Sequence, residues 1–328
     1  MPPLTIVVIP CYNEELRLPT SEFTAWLSRE AAAFNVKLLF VDDGSRDGTL
    51  KLLQRLCSAH SGRASLLALG TNQGKAEAVR RGLVQAIADG ADTVGFWDSD
   101  LATPLYAVAQ LAGVLHGNAQ LQMIFAARVA LLGRHIQRKI IRHYLGRVFA
   151  TLASLTLDLA IYDTQCGAKL FRVSPELRAV VATPFLTRWV FDCEMIARYA
   201  ALLASRRFPM AARRGSSFGG EEAARPPGAA GAASASFDEP GPNCLEGIIY
   251  EYPLDRWVDV AGSKVKSTDI LRMAMGLVRI RIVYFLHEWP SGVRRPEFFT
   301  ALVAVTLVAL LGICAVVALA LGLLSLLS

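Results

Sequence analysis

TVGFWDSD, residues 93–100, is the stretch on which the fold turns: an uncharged run, then an aspartate, a serine and a second aspartate. A short apolar run bounded by polar turn residues is consistent with a strand buried on both faces, as in the parallel sheets of α/β proteins. Working outward, the same unit recurs. Residues 5–10 (TIVVIP) lead into Cys11-Tyr12-Asn13-Glu14-Glu15, and residues 37–41 (KLLFV) into Asp42-Asp43-Gly44-Ser45. Residues 65–69 lead into Asn72-Gln73-Gly74-Lys75, and 121–126 read as a fifth strand. Helical spacing fills the gaps at 21–34, from an Asp47 cap to about 60, and at 74–89, while Pro104 suits the first position of a further helix. This alternation predicts an α/β domain with a largely parallel sheet. Ligands of such a sheet bind beyond the carboxyl ends of its strands, so these acidic, amide and glycine residues are expected to meet in one carboxylate-rich cleft.

The chain has 328 residues, 53% apolar and 19% charged, with a mean hydropathy of +0.37, which excludes intrinsic disorder. The apolar excess is local. Residues 298–328 carry no charge and are long enough to cross a bilayer. Arg294 and Arg295 precede this run and no Lys or Arg follows it, which predicts a single span with the body on the cytoplasmic side. Residues 4–10 are too short an apolar run for a leader peptide. The net charge of +6 and the pI near 9.1 raise nucleic acid as a partner. With no basic tract interleaved with aromatics and no zinc spacing, attraction to anionic headgroups is the better reading. The six cysteines show no C-x-x-C and are expected to stay thiols.

Residues 134–162 read as one long helix, with Arg134, Arg138 and Arg142 four apart along one face. Residues 211–245, rich in Gly, Ala, Ser and Pro, read as a flexible insertion. Residues 267–289 read as an interfacial helix carrying Arg272, Arg279 and Arg281. The expected organisation is a catalytic domain at 1–265, a juxtamembrane helix at 266–296 and a membrane helix at 297–328.

A carboxylate-rich cleft suits a polyphosphate with a divalent cation, or a sugar with many hydroxyls. Asp98 and Asp100, two apart at a strand end, fit a hard cation, and Mg²⁺ takes one or two carboxylates plus phosphate oxygens and water. An isolated Asp-x-Asp is commonly just a solvated loop. Asp42-Asp43-Gly44-Ser45 is equally a turn leading into a helix. Gly74-Lys75 lacks the spacing of a P-loop, which leaves Lys75 either a phosphate ligand or a surface lysine.

Taken in order, V-V-I-P-C-Y-N-E-E, V-D-D-G-S-R-D-G-T, N-Q-G-K-A-E-A-V-R-R-G and D-S-D resemble the inverting family-2 glycosyltransferases of the GT-A fold. D-T-Q-C-G-A-K-L-F (163–171), R-W-V-F-D-C-E (188–194) and G-S-K-V (262–265) are similar to the dolichyl-phosphate β-glucosyltransferase branch, which belongs with the polyprenyl-phosphate transferases. The resemblance implies a three-layer α/β/α GT-A domain; the interfacial helices and the C-terminal transmembrane helix are expected from the apolar patterning instead, and the C-terminal anchor departs from that branch, which usually carries an N-terminal membrane helix. It implies transfer of a hexose, foremost glucose from UDP-glucose, to a polyprenyl or dolichyl phosphate. A GDP-mannose donor and a soluble or polysaccharide acceptor are the alternatives. It places Mg²⁺ or Mn²⁺ on Asp98 and Asp100, and the nucleotide among Pro10, Tyr12, Asn13, Glu14, Asp42, Asp43, Gly74, Lys75 and Ser99. Arg128, Arg138 and Arg142 match phosphate-binding positions. Asp163 matches an acid beside the reacting centre, either a base or an orienting group. Arg188, Asp192 and Glu194 match sugar or acceptor-loop contacts, with a buried structural ion pair as the competing role. Ala102 stands where some relatives have a glutamine. The implied partners are a nucleotide-diphospho sugar, a polyprenyl-phosphate lipid and the membrane, with no nucleic acid; a homo-oligomer is compatible. A sugar nucleotidyltransferase would carry a Gly-rich basic loop where this chain has Cys11-Tyr12-Asn13-Glu14-Glu15. A non-enzymatic scaffold would not need every acidic motif retained.

Overall fold

A computed structural model describes residues 2–137, 140–207, 245, 247–260 and 267–286. Residues 211–244 of the expected insertion, the 262–265 motif, Arg138 and the apolar run at 298–328 lie outside the described residues. Among the described residues no helix is long and apolar enough to cross a membrane.

The first four strands follow the apolar runs closely: β1 (Thr5–Cys11), β2 (Val36–Asp42), β3 (Ala64–Ala68) and β4 (Thr93–Trp97). They pair in parallel in the spatial order β3-β2-β1-β4. Each parallel pair needs a crossover, supplied by α1 (Thr20–Arg29), α2 (Thr49–Ala59) and α3 (Lys75–Ala88). Strand alternation splits the side chains between two cores. Val7, Ile9 and Cys11 of β1 pack with Leu38 and Phe40 of β2 against α1, α2 and α4 (Tyr106–Gly117). Ile6 and Val8 pack with Leu39 and Val41 against α3 on the opposite face. Helices thus cover both faces, as uninterrupted apolar strands require. Cys11, Cys57, Cys166 and Cys193 are buried thiols, and among the described residues no disulfide forms.

Beyond β4 the sheet departs from the largely parallel expectation. β5 (Met123–Ala127) does not lie beside β4; β7 (Ala168–Arg172) is inserted between them, antiparallel to both, and β8 (Ile249–Pro253) adds in parallel to β5. The seven-stranded sheet is therefore mixed. The expected helix at 134–162 is also shorter. Residues 135–137 form β6 (His135–Gln137), which pairs in parallel with β9 (Arg256–Val258), and α5 begins only at Ile140 and ends at Leu157. Arg134 consequently stands outside the helix and ion-pairs with Asp255 in the loop before β9. Backbone pairing with a distant strand has overridden local helical spacing.

After β7, Ser174 caps α6 (Pro175–Ala182), its hydroxyl accepting from the Leu177 amide with Pro175 in the first turn. α7 (Phe191–Arg207) and α8 (Ser267–Ile280) pack over the same face as α3 and α5, and a π-helical turn follows at Arg281–Leu286.

Candidate active site

The carboxyl ends of β1 and β4, the residues following β2, β3 and β5, and the turn before β7 line one cleft of about 1440 Å³. Asp98 and Asp100 face it. The Asp98 amide donates to the Gly167 carbonyl at 2.9 Å, which fixes the start of the turn to the strand end. Leu101 then takes a left-handed φ of +52°, a costly conformation for a branched side chain, and the Ala102 amide donates to Asp100 Oδ1 at 3.1 Å. Asp100 Oδ2 lies 3.8 Å from Arg17 Nη2, while Arg17 Nη1 lies 3.6 Å from Glu14 Oε2. Lys75 Nζ donates to Asp98 Oδ1. Burial, and then the neighbouring Asp98 charge, push the Asp100 carboxyl above its ordinary range. The pair therefore favours added positive charge.

This donor set suits a hard divalent cation, which takes carboxylate oxygen. Among the described residues no group of three or more His, Cys, Asp or Glu could hold a metal, so Asp98 and Asp100 make a partial shell that substrate oxygens and water would complete.

Asp43 lines the same cleft. Its carboxylate accepts from the Gln73 amide at 2.7 Å, the Gly74 amide at 2.8 Å and Asn72 Nδ2 at 2.9 Å. The loop after β3 is thereby stapled to the end of β2. Gly74 closes the loop at φ +96°, which a residue with a Cβ rarely adopts, and delivers Lys75 as the first residue of α3. Burial raises the Asp43 carboxyl despite these amides.

Arg128 and Asp163, which also line the cleft, form a buried fork. Arg128 Nε donates to Asp163 Oδ2 at 2.7 Å and Nη2 to Oδ1 at 2.8 Å, and the Arg128 amide adds a third bond at 3.1 Å. The Gln165 amide reaches Oδ1 at 3.2 Å. The guanidinium lies 5.3 Å from the Trp257 ring centre. Burial alone would raise Asp163, but the Arg128 charge and its hydrogen bonds outweigh it and hold the carboxyl below the usual range. Glu251 of β8 accepts the Tyr162 and Asp163 amides at 2.8 Å each, which locks the turn.

The model of glycosyl transferase family 2 matches residues 6–177, more than half of the chain, from β1 into α6. The chain belongs to glycosyl transferase family 2. It is 30% identical over 200 residues to the dolichyl-phosphate beta-glucosyltransferase of Dictyostelium discoideum, covering 58% of this chain and 60% of that protein. It is 31% identical over 201 residues to the Homo sapiens protein of the same name, covering 58% and 61%. The chain thus spans about 60% of the length of these curated relatives. Among solved structures it is similar to a mannosyltransferase of Pyrobaculum calidifontis in complex with GDP-Man and Mn2+, at TM-score 0.53 and 15% identity, covering 100% of this chain and 81% of that one. It is also similar to glucosyl-3-phosphoglycerate synthase of Mycobacterium tuberculosis, at TM-score 0.53 and 17% identity, covering 91% and 85%. These likenesses establish the GT-A fold.

Within the family-2 cleft, Pro10, Tyr12, Glu14, Asp43, Gly74, Lys75, Asp98, Ser99, Asp100, Arg128, Asp163, Arg188 and Asp192 are all brought together. Asn13 and Asp42 stand elsewhere. Asn13 Oδ1 accepts the Arg46 amide at 2.9 Å. Asp42, the last residue of β2, is buried and accepts the Ser45 amide at 3.2 Å, because alternation along the strand turns it away from the side that Asp43 faces. Arg142 lies on α5, where its side chain is outside what is described.

Asp192, at the start of α7, accepts from Gln165 Nε2 at 2.7 Å and lies 3.3 Å from Lys169 Nζ. Lys169 is 1% exposed and also donates to the Thr164 and Cys166 carbonyls, at 2.8 and 2.6 Å. Asp192, Gln165 and Lys169 thus hold the turn that carries Asp163. Glu194, fully buried, accepts the Leu186 and Thr187 amides and pairs with Arg198 at 2.8 Å, which positions the loop bearing Arg188. Arg17, Trp257 and Glu251 carry no sequence signal of their own, while Gln165 and Lys169 fall within the D-T-Q-C-G-A-K-L-F motif at 163–171, which assigned no role to either.

Gly167 is the tightest point of the site. A Cβ there would lie 1.9 Å from Asp98 Oδ2 and 2.2 Å from Cγ. A short aspartate side chain can rotate away, so Gly167→Ala is expected to leave the thermal midpoint nearly unchanged while moving the carboxylate. Displacements of about 1 Å cost on the order of 10²-fold in rate. Steady-state kinetics beside a melting curve check this; wild-type turnover in the variant would refute it.

Proposed function

We propose that the chain is a divalent-metal-dependent hexosyltransferase that moves glucose from UDP-glucose to a polyprenyl phosphate such as dolichyl phosphate, with inversion. The observation that carries the reading is that one cleft brings both kinds of charge together. Asp98 and Asp100 line it, and so do Arg147, Arg188, Arg272 and Arg279. The Arg188 charge acts on Asp43, and Arg279 spends one nitrogen on the Leu186 carbonyl at 3.4 Å. Two anions must meet for this reaction, a sugar-bearing diphosphate and a lipid monophosphate. A cation-binding pair for the first and guanidinium groups for the second answer that need.

An acceptor phosphate oxygen, already ionised near neutral pH, attacks the anomeric carbon from the face opposite the leaving group. The new carbon–oxygen bond forms as the bond to the diphosphate breaks, and the diphosphate departs with the electron pair. No strong base is needed. That agrees with Asp163, whose oxygens are taken by Arg128 and the Gln165 amide. Its role is to hold the wall of the cleft. A bound Mg²⁺ or Mn²⁺ would neutralise charge developing on the diphosphate. Arg188, Arg272 and Arg279 lie beyond the matched residues 6–177, in the part of the chain suited to setting the acceptor.

The uncharged run at 298–328 supports a membrane anchor with the cleft on the cytoplasmic side, since an isoprenoid acceptor stays in the bilayer. Membranes containing the full chain, given labelled UDP-glucose, a polyprenyl phosphate and Mn²⁺, are expected to yield a labelled product that partitions into organic solvent. Label transferred only to water-soluble acceptors would overturn the lipid assignment, and transfer from GDP-mannose alone would overturn the donor.

A further inference from the structure

The Lys75 ammonium sits on Asp98, one of the two carboxylates that would receive the divalent cation. A dication and an ammonium on the same carboxylate repel, so one must yield. The backbone and the head of Lys75 differ in freedom. Its Cα is fixed by the Asp43 bonds to the Gln73 and Gly74 amides and by the first turn of α3. Its side chain is 44% exposed and reaches into open cleft. A lysine head is a compact charge on a flexible four-carbon stem, suited to changing partners without moving the backbone.

We propose that Lys75 is a built-in counter-ion for the aspartate pair: it neutralises Asp98 in the empty cleft and exchanges that carboxylate for the donor diphosphate when cation and nucleotide enter. The inference rests on the metal reading above and adds a consequence to it. Cation alone must move the ammonium off Asp98 with no phosphate to receive it, although Asp192 and Asp100 still act on its charge. Cation with nucleotide releases the ammonium onto phosphate oxygen. Each ligand therefore raises the affinity for the other, through a single side chain.

The test is Mn²⁺ titration of the full-length protein, read by the electron paramagnetic resonance of free Mn²⁺, with and without UDP. An exposed ion pair of this kind is modest, so Lys75→Met is expected to tighten Mn²⁺ binding without UDP by about three- to fivefold. The gain in Mn²⁺ affinity that UDP brings is expected to shrink by about tenfold, the worth of a charge-assisted bond to phosphate. Lys75→Arg should keep the wild-type weakness for Mn²⁺ alone. Equal or weaker Mn²⁺ binding by Lys75→Met, or an undiminished effect of UDP, overturns the role of Lys75 while leaving the metal reading intact. Wild-type protein that binds no Mn²⁺ with or without UDP overturns both.

Discussion

Asp98→Asn and Asp100→Asn are each expected to lower kcat/KM by about a thousandfold or more while the protein stays folded. The two carboxylates are the acidic groups whose geometry suits the cation, and no third group backs them up among the described residues. A metal stabilises a departing diphosphate by several kcal/mol, and each 1.4 kcal/mol is a factor of ten in rate. Neither side chain supports the core. Asp98 is 38% exposed and pairs with a Lys75 that is 44% exposed, so the change in stability should stay within about 0.5 kcal/mol. Kinetics with added Mn²⁺ and a denaturant midpoint measured side by side provide the check. Full turnover in either variant would remove the cation from this pair.

The second large effect belongs to the Arg128–Asp163 fork. Arg128 and Asp163 are both mostly buried, with side-chain exposures of 14% and 8%. Removing one partner of such a pair leaves the other charge without compensation, at a cost of about 3–5 kcal/mol. Asp163→Asn is therefore expected to lower the thermal midpoint markedly. Arg128→Met should do the same, and the double replacement should cost less than the two single losses added together. Acid sharpens the test. Asp163 is held below the usual carboxylate range, so its contribution to stability is present above about pH 4 and is lost as the pH falls below that towards its depressed value. The Asn variant should lack that part of the acid dependence. A single variant as stable as wild type would show the fork to be ornamental.

Much of this was legible beforehand because it is local. The strands ending at Cys11, Asp42 and Trp97 are apolar runs of the kind a doubly covered sheet buries, the edge strand ending at Ala68 is partly exposed, and the polar residues after all four fall at the carboxyl ends. The convergence of Glu14, Asp43, Lys75 and Asp98 on one cleft follows from parallel pairing alone. The helix expected from Arg134 is a different case. Residues 135–137 carry no local mark of their partner, Arg256–Val258, which lies more than a hundred residues away, so two consecutive arginine spacings pointed to a helical face that Arg134 does not join.

The sequence by itself determined the acidic half of this site: apolar strands, the order of the motifs and the Asp-x-Asp at the fourth strand end, each encoded within a few consecutive residues. The tertiary structure alone decided the other half. Inserting β7 antiparallel between β4 and β5 sets the residues before β7 beside those after β5, so Asp163 meets Arg128 and Gly167 presses on Asp98. The packing of α3 beside the end of β4 likewise puts Lys75 on Asp98. Pairing between distant segments is chosen by the burial and hydrogen bonding of the whole sheet, and no single stretch of chain carries that choice.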